Sequence, residues 1–462
     1  MLVNNIYFGF QSIFISFGLL SLISIFISFF LNLGYETILF ITCSLNILII
    51  YLINFFKKKK DITNKNFIFI SLIIWLIIIL ISVTPLFELL KDKTLNEKIF
   101  FATSLVTTTG LNILDNNYSD NIILAIWISN IQIIGALYTI FITLLYYTLY
   151  IKKNNNKLLI VNKQTILIIN FLFISFLITF TIILQSYDFN LVDSFSLASA
   201  ILSSGGITAS ESVFLKYNIN HFIVTLLMII SLLILPIYFY IINKKNLKYE
   251  YKKIKNLSFR FFLFIILMIS FITFTGHLSY SENLFLAASF ITTTGILPYE
   301  LENNYSLLEY NKFFFLFLFF SIIGTFSGTT NGGIKINKVG LLLINIKEEF
   351  NNFLFQYNVK GIEIIKKGTT QKELDSFYAA TGFGVFLLLI SILILNISDL
   401  DLKSSLVYAV SALSNTGEGL ILISSIKEKV SPSYYIILNI LMICGRFESI
   451  GYLLLFNKVF KN

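Results

Sequence analysis

The chain has 462 residues, 56% of them hydrophobic and only 13% charged, with a formal net charge of +9. Its mean hydropathy is +0.82. Soluble domains carry about 25% charge, so this composition excludes an ordinary water-soluble fold. The positive charge sits in lysine clusters between apolar segments, the pattern of cytoplasmic membrane loops rather than of a nucleic-acid face.

Apolar segments long enough to approach the roughly 20 residues needed to cross a bilayer predict helices over about 7–31, 36–56, 67–88, 122–150 and 160–185. Further helices are predicted over about 218–242, 257–276, 310–346, 377–397 and 432–459. The first segment lacks a small-residue cleavage site and reads as a retained helix. The stretch 310–346 is too long and too interrupted to be one simple span. Cys43 and Cys444 fall inside apolar segments and are expected to be free thiols. His221 and His277 lie near helix ends without a matching cluster of acids or cysteines, so they are expected to be interfacial residues. No nucleotide loop, zinc motif or nucleophile elbow is present, and no enzyme activity is expected.

The loops between these helices alternate in character. Lys57–Lys60, Lys152–Lys157, Lys244–Lys255 and Lys347–Lys372 are basic. The loops at about 89–120, 187–216, 277–309 and 398–430 are poor in lysine and rich in Ser, Thr and Gly. The positive-inside rule puts the basic loops and both termini in the cytoplasm of a multi-pass protein of the cell membrane.

The four outward loops repeat one another. Ala102–Gly110 reads Ala-Thr-Ser-Leu-Val-Thr-Thr-Thr-Gly, and Ala198–Gly206 reads Ala-Ser-Ala-Ile-Leu-Ser-Ser-Gly-Gly. Ala287–Gly295 reads Ala-Ala-Ser-Phe-Ile-Thr-Thr-Thr-Gly, and Ala409–Gly417 reads Ala-Val-Ser-Ala-Leu-Ser-Asn-Thr-Gly. Glu97, Asp193, Glu282 and Ser404 stand at one shared distance before the four glycines. Small-residue packing between helices accounts for one such copy far more easily than for four in register. The ten or so residues before each Thr/Ser run make about 15 Å of helix, half the hydrocarbon thickness. Each loop is therefore expected to dip into the membrane as a short helix and return as extended chain. Non-helical backbone at that depth is tolerated where it lines a water-filled path. Four such strands supply rings of carbonyl oxygens of the kind that replace hydration around K⁺. The expected filter residues are Thr108, Thr109, Gly110, Ser204, Gly205, Gly206, Thr293, Thr294, Gly295, Asn415, Thr416 and Gly417.

Two other features need a pore. The glycine-rich stretch Ser327, Gly328, Thr329, Thr330, Asn331, Gly332 and Gly333 interrupts a spanning segment and is expected to form a plug beneath the filter; a simple helix kink is the alternative. Arg446 is an ionisable residue in an apolar helix, a functional position by default; a snorkelling or paired structural arginine, with Glu448 nearby, is the alternative. It is read as the charged donor to the plug's carbonyls.

At these residues the chain resembles the TrkH/KtrB/HKT superfamily of K⁺ transporters, over about 67–462. The four filter loops carry the resemblance, together with Gly324–Lys335, similar to the family's break in the third repeat, and Cys444–Glu448, similar to its Gly-Arg-Leu-Glu stretch. The resemblance implies an all-α membrane protein of four tandem membrane–pore loop–membrane repeats around a central pore. It adds two N-terminal helices like those of the TrkH branch. The implied units are 1–60 (extra helices), 61–156, 157–256, 257–371 and 372–462. The implied function is K⁺ uptake through a carbonyl filter and an intramembrane gate, in which Lys335 joins Ser327–Gly333 and Arg446. K⁺ is then both transported and bound, with no organic cofactor. The implied partners are membrane lipid, a second copy in a homodimer and a cytosolic nucleotide-binding ring subunit of the TrkA/KtrA kind, with no nucleic acid. Glu418 stands where the family often has Pro, and Thr329-Thr330-Asn331 where Ser-Thr-Ala is more usual. A serine at the first filter glycine accompanies Na⁺ preference in some plant relatives; Gly110 therefore implies K⁺. An ion-coupled transporter of another solute or of Na⁺ is the alternative, although such transporters commonly pair their broken helices in inverted repeats.

Overall fold

A computed structural model describes residues 2–57, 64–114, 121–151, 163–208, 221–234, 263–271, 279–297, 313–325, 329–336, 371–398, 400–423 and 432–446, with a few isolated positions between. The described residues contain helices and no strand. Among the described residues, five helices are long and apolar enough to cross a membrane. The basic loops fall almost wholly outside the described residues, as do Ser327, Gly328, His277 and Glu448.

The first two helices, Leu2–Phe30 and Glu36–Lys57, form an antiparallel pair. The third, Asn64–Leu89, contains Pro85. The proline cannot donate to the carbonyl four residues back, and the Thr84 hydroxyl bonds that Ile81 oxygen at 2.8 Å. Ile122–Ile151 is the central wall, nearly all of its spanning part buried. Phe17 stacks on its Trp127 at 5.7 Å, and Phe10 meets its Phe141 edge-on at 5.4 Å. The buried Asn130 amide donates to Ser24 at 2.9 Å. These contacts seat the N-terminal pair on the first repeat.

Four short helices answer to the four repeated loops: Leu95–Val106, Leu191–Ser203, Tyr280–Ile291 and Leu402–Ser414. The acidic position before each glycine lies in their first turns. In the first and third, Thr94 with Glu97 and Ser279 with Glu282 form capping boxes, which satisfy two backbone donors left open at a helix start. In the fourth, Ser404 takes that place and the acid moves to the N-cap itself, Asp401.

One packing rule closes the bundle. The second helix of each repeat rests on the short helix of the next: Ile122–Ile151 on Leu191–Ser203, His221–Ser231 on Tyr280–Ile291, Phe314–Ile323 on Leu402–Ser414, and Tyr435–Arg446 on Leu95–Val106. Phe100 stacked on Tyr435 at 4.5 Å joins the last repeat to the first. Polarity runs inside out. Ser, Thr and Asn side chains crowd the interior, while Phe26, Phe29, Phe40, Phe171 and Phe271 are exposed on the periphery, as a hydrocarbon solvent requires. Cys43 is buried and Cys444 half-buried, and neither forms a disulfide.

Candidate functional site

The strands that follow the short helices share one backbone pattern. Two residues before each glycine, Thr108, Ser204, Thr293 and Asn415 have φ of 46°, 58°, 53° and 53°. Gly110, Gly206, Gly295 and Gly417 have φ of 87°, 69°, 67° and 80°. The intervening Thr109, Gly205, Thr294 and Thr416 are not left-handed. A β-branched residue at positive φ is a genuine outlier, costing about 1–3 kcal/mol. Two threonines, a serine and an asparagine adopt it in register.

The strands meet head to tail. A Cβ on Gly110 would strike the carbonyl of Gly205, one on Gly206 that of Thr294, one on Gly295 that of Thr416, and one on Gly417 that of Thr109. The four segments therefore form a closed ring in the order one, two, three, four, one. Every Thr, Ser and Asn among them is at most 1% exposed.

Each strand is tied back to its own short helix. Thr109, Gly205, Thr294 and Thr416 donate their backbone N–H to the carbonyls of Ser104, Ala200, Ser289 and Ser411 at 2.8–3.1 Å. These are the third positions of the repeated frame. Their hydroxyls pin the strand beyond: Ser104 accepts from Leu111 N–H at 2.7 Å, Ser289 donates to Ile296 O at 2.6 Å, and Ser411 donates to Gly417 O at 2.7 Å. Hydroxyl pairs Thr107–Thr109, Thr292–Thr294 and Ser414–Thr416 lie 2.7–3.0 Å apart. The second repeat has neither tie, because Ala200 and Gly205 carry no hydroxyl. There Gln132, from the wall helix, donates to Ile207 O at 3.0 Å.

The interrupted segment lies against the ends of these helices. The helix Phe314–Ile323 stops at Gly324, and Ile334, Lys335 and Ile336 N–H return to the carbonyls of Ile322, Ile323 and Thr325 at 2.7–2.8 Å. The described residues of the excursion between them touch the second, third and fourth repeats directly and the first through Arg446. Thr330 Oγ1 donates to Leu202 O at 3.2 Å, and the Ser204 hydroxyl donates to Thr330 O at 3.3 Å. Asn331 Nδ2 donates to Thr292 O, and Gly332 N–H to Thr293 Oγ1 at 2.8 Å. Gly332 packs on the Ser414 carbonyl so tightly that a Cβ has no room. Lys335 is fully buried with φ of 80°, and its Nζ donates to Asn331 O.

Arg446 completes the set. It is 7% exposed and donates to Thr330 O, to Thr107 O, and to both Thr108 O (2.7 Å) and Thr108 Oγ1. One guanidinium thus holds the excursion and the first strand together. Thr107 and Thr292 are C-caps, where carbonyls lack intrahelical partners and the helix dipole is negative. A cation and an amide fill those positions. All described site residues named from the sequence come together here; Ser327 and Gly328 lie outside the described residues.

Three further contacts join the strands; Asn415 was among the expected filter residues and Glu418 among the departures from the family pattern, so Gln132 alone escaped the motif search. Asn415 reaches across the ring, donating to Thr109 Oγ1 at 2.8 Å and to Met442 O at 3.0 Å. Glu418 starts a short helix, Glu418–Ile423, and its N–H donates to Gly110 O at 3.0 Å. Gln132 was visible only as a polar residue inside an apolar span. His221 Nδ1 stands 4.0 Å from Glu282, in the first turn of the third short helix.

Residues 282–462 match the TrkH family, described as cation transport proteins. The chain is 27% identical over 289 residues to the Trk system potassium uptake protein TrkG of Escherichia coli, covering 58% of this chain and 56% of that protein. It is 24% identical over 308 residues to an uncharacterized cation transporter of Methanocaldococcus jannaschii, covering 64% and 63%. These alignments thus span less than two thirds of either relative. The crystal structure of the potassium transporter TrkH from Vibrio parahaemolyticus superposes with a TM-score of 0.78 at 19% identity, over 98% of this chain and 99% of that one. The chain thus has the fold of the solved TrkH structure, and its residues 282–462 carry the match to the TrkH family of cation transport proteins.

Proposed function

We propose that the protein takes up K⁺ across the cell membrane through a channel-like pore. Its filter is the ring of Thr108–Gly110, Ser204–Gly206, Thr293–Gly295 and Asn415–Gly417. The observation that carries this reading is the alternation of left-handed residues with a residue outside the left-handed region in all four strands. Alternation of that kind turns successive carbonyls to one side of a strand, and a ring of such strands offers dehydrated K⁺ an oxygen cage. The curated relatives named above, a potassium uptake protein and a cation transporter, support the same substrate class.

Gly324–Lys335 is the gate in this reading, held shut by Arg446. The arrangement described above is the closed one: the excursion and the guanidinium occupy the carbonyls that a hydrated cation would meet below the filter. Opening withdraws the excursion and frees those helix ends to attract the ion. The four units have boundaries near residues 61, 157, 257 and 372, with the pair at 1–60 outside the ring. The molecule works as a homodimer on a cytosolic nucleotide-binding ring subunit, both termini being cytoplasmic.

Reversal potentials of the purified protein in proteoliposomes under opposed K⁺ and Na⁺ gradients test the proposal. A strongly K⁺-selective current or flux is expected, weakened by Gly110→Ser. Equal permeability to K⁺ and Na⁺, or no cation flux from inserted and folded protein, would refute it.

A further inference from the structure

The second strand of the ring lacks the two side chains that fix the other three. At the third frame position the first, third and fourth repeats have Ser104, Ser289 and Ser411, each hydrogen-bonded to its own strand at or beyond the glycine. The second has Ala200. Just before the glycine the others have Thr109, Thr294 and Thr416, each paired to a hydroxyl two residues earlier. The second has Gly205, whose N–H donates to Ser203 Oγ at 3.1 Å instead.

Gly205 is not glycine for the sake of its backbone, because its φ is outside the left-handed region. It is glycine for space. The three atoms nearest to a Cβ placed there are Cδ, Nε2 and Cγ of Gln132, at 2.8, 2.9 and 3.0 Å. The same amide donates to Ile207 O, which occupies the position that Ile296 O has in the third repeat, where Ser289 is the donor. Gln132 is fully buried, on the wall helix of the first repeat, and its Oε1 has no partner among the described residues. A polar side chain in such surroundings is costly unless its hydrogen bonds are made.

We infer that Gln132 is a positioning residue for ion selectivity: its amide stands in for the two side chains that the second strand lacks, filling the volume of the missing threonine and supplying the pin of the missing serine. The inference rests on the proposed filter. It makes the second strand the one whose geometry is set by a neighbouring repeat, so selectivity should respond to a residue that is no part of the repeated motif.

The test is a mutant cycle on the full chain with two readouts, thermal unfolding in detergent and the K⁺/Na⁺ permeability ratio in proteoliposomes. Gly205→Thr should destabilise the protein when Gln132 is present and should be tolerated in the Gln132→Ala background, since one site cannot hold both side chains. Gln132→Ala should lower the permeability ratio about threefold to tenfold, the scale on which one hydrogen bond shifts an equilibrium. Gln132→Met keeps the bulk without the donor and should do the same in a folded protein, should the alanine variant fail to insert. Adding Ala200→Ser with Gly205→Thr to Gln132→Ala rebuilds the arrangement of the third repeat and should restore the ratio. Independent, additive unfolding effects of Gln132→Ala and Gly205→Thr would overturn the shared-space claim. Unchanged selectivity in both Gln132 variants, with a K⁺-selective parent, would overturn the positioning claim. A parent that does not select K⁺ would instead sink the filter reading and leave the unfolding cycle standing.

Discussion

Gly295 and Arg446 are the residues at which geometry makes the sharpest demands. Gly295 has φ of 67°, and a Cβ there would meet the Thr416 carbonyl. For an L-residue the left-handed conformation costs about 1–2 kcal/mol, before the collision is counted. Gly295→Ser should therefore reduce K⁺ over Na⁺ discrimination, as should Gly110→Ser, and reversal potentials check both. Arg446 makes charge-assisted bonds, worth about 1.5–3 kcal/mol each, to the excursion and to the first strand. Arg446→Ala should raise K⁺ flux about tenfold by releasing the closed arrangement, since 1.4 kcal/mol is one decade. It should lower selectivity in the same measurement, because Thr107 and Thr108 lose their donor. Flux at or below the parent's, from folded and inserted protein, would leave Arg446 as a structural charge only.

At the scale of elements, the short helices and the excursion behave differently. A helix of 12 or 13 residues is marginal alone, so its ends matter. Thr94→Ala and Ser279→Ala each remove a capping box. Each should lower stability by about 1 kcal/mol, read as a lower unfolding temperature, with selectivity little changed because the caps lie at the far end from the filter strands. The described residues of the excursion show no helical bonding of their own and are held by hydrogen bonds to other elements. Interior glycines cost about 1 kcal/mol each against helix, so the proposed gate predicts a second arrangement of similar energy, as a switching segment requires. Deleting Gly328–Gly332 should raise K⁺ flux, and combining the deletion with Arg446→Ala should add little, because both act on one closed state.

Across the whole molecule, the cyclic packing of each repeat on the next makes the ring a property of the full chain. The N-terminal pair is an external brace on it. Gly9 lies so close to the Phe141 ring that a Cβ would overlap it. Gly9→Val should destabilise the docking by about 1–3 kcal/mol, the usual cost of overpacking, and should lower the unfolding temperature without altering ion preference. The charge distribution predicts orientation: single cysteines introduced at 152–157 or 244–255 should react with an impermeant thiol reagent only from the cytoplasmic side. Labelling from outside would invert the topology.

Membrane character, the helical class and the four repeated loops were legible from composition and internal repetition. Hydrophobic length is read in the bilayer, and a motif of nine residues is local. The departure from helix at Gly324 was legible for the same reason, since glycines act on their own backbone. What the chain could not reveal alone were the contacts that close the ring. Arg446 and Thr107 are 339 residues apart, Asn415 and Thr109 are 306 apart, and Gln132 and Ile207 are 75 apart. The left-handed conformation of Thr108 and Thr293 runs against their own β-branched preference and is imposed by surrounding hydrogen bonds. The sequence by itself thus determined the membrane character of the chain and which four strands are equivalent. Only the tertiary structure decided how each strand is braced, because bracing depends on side chains that folding brings from other repeats.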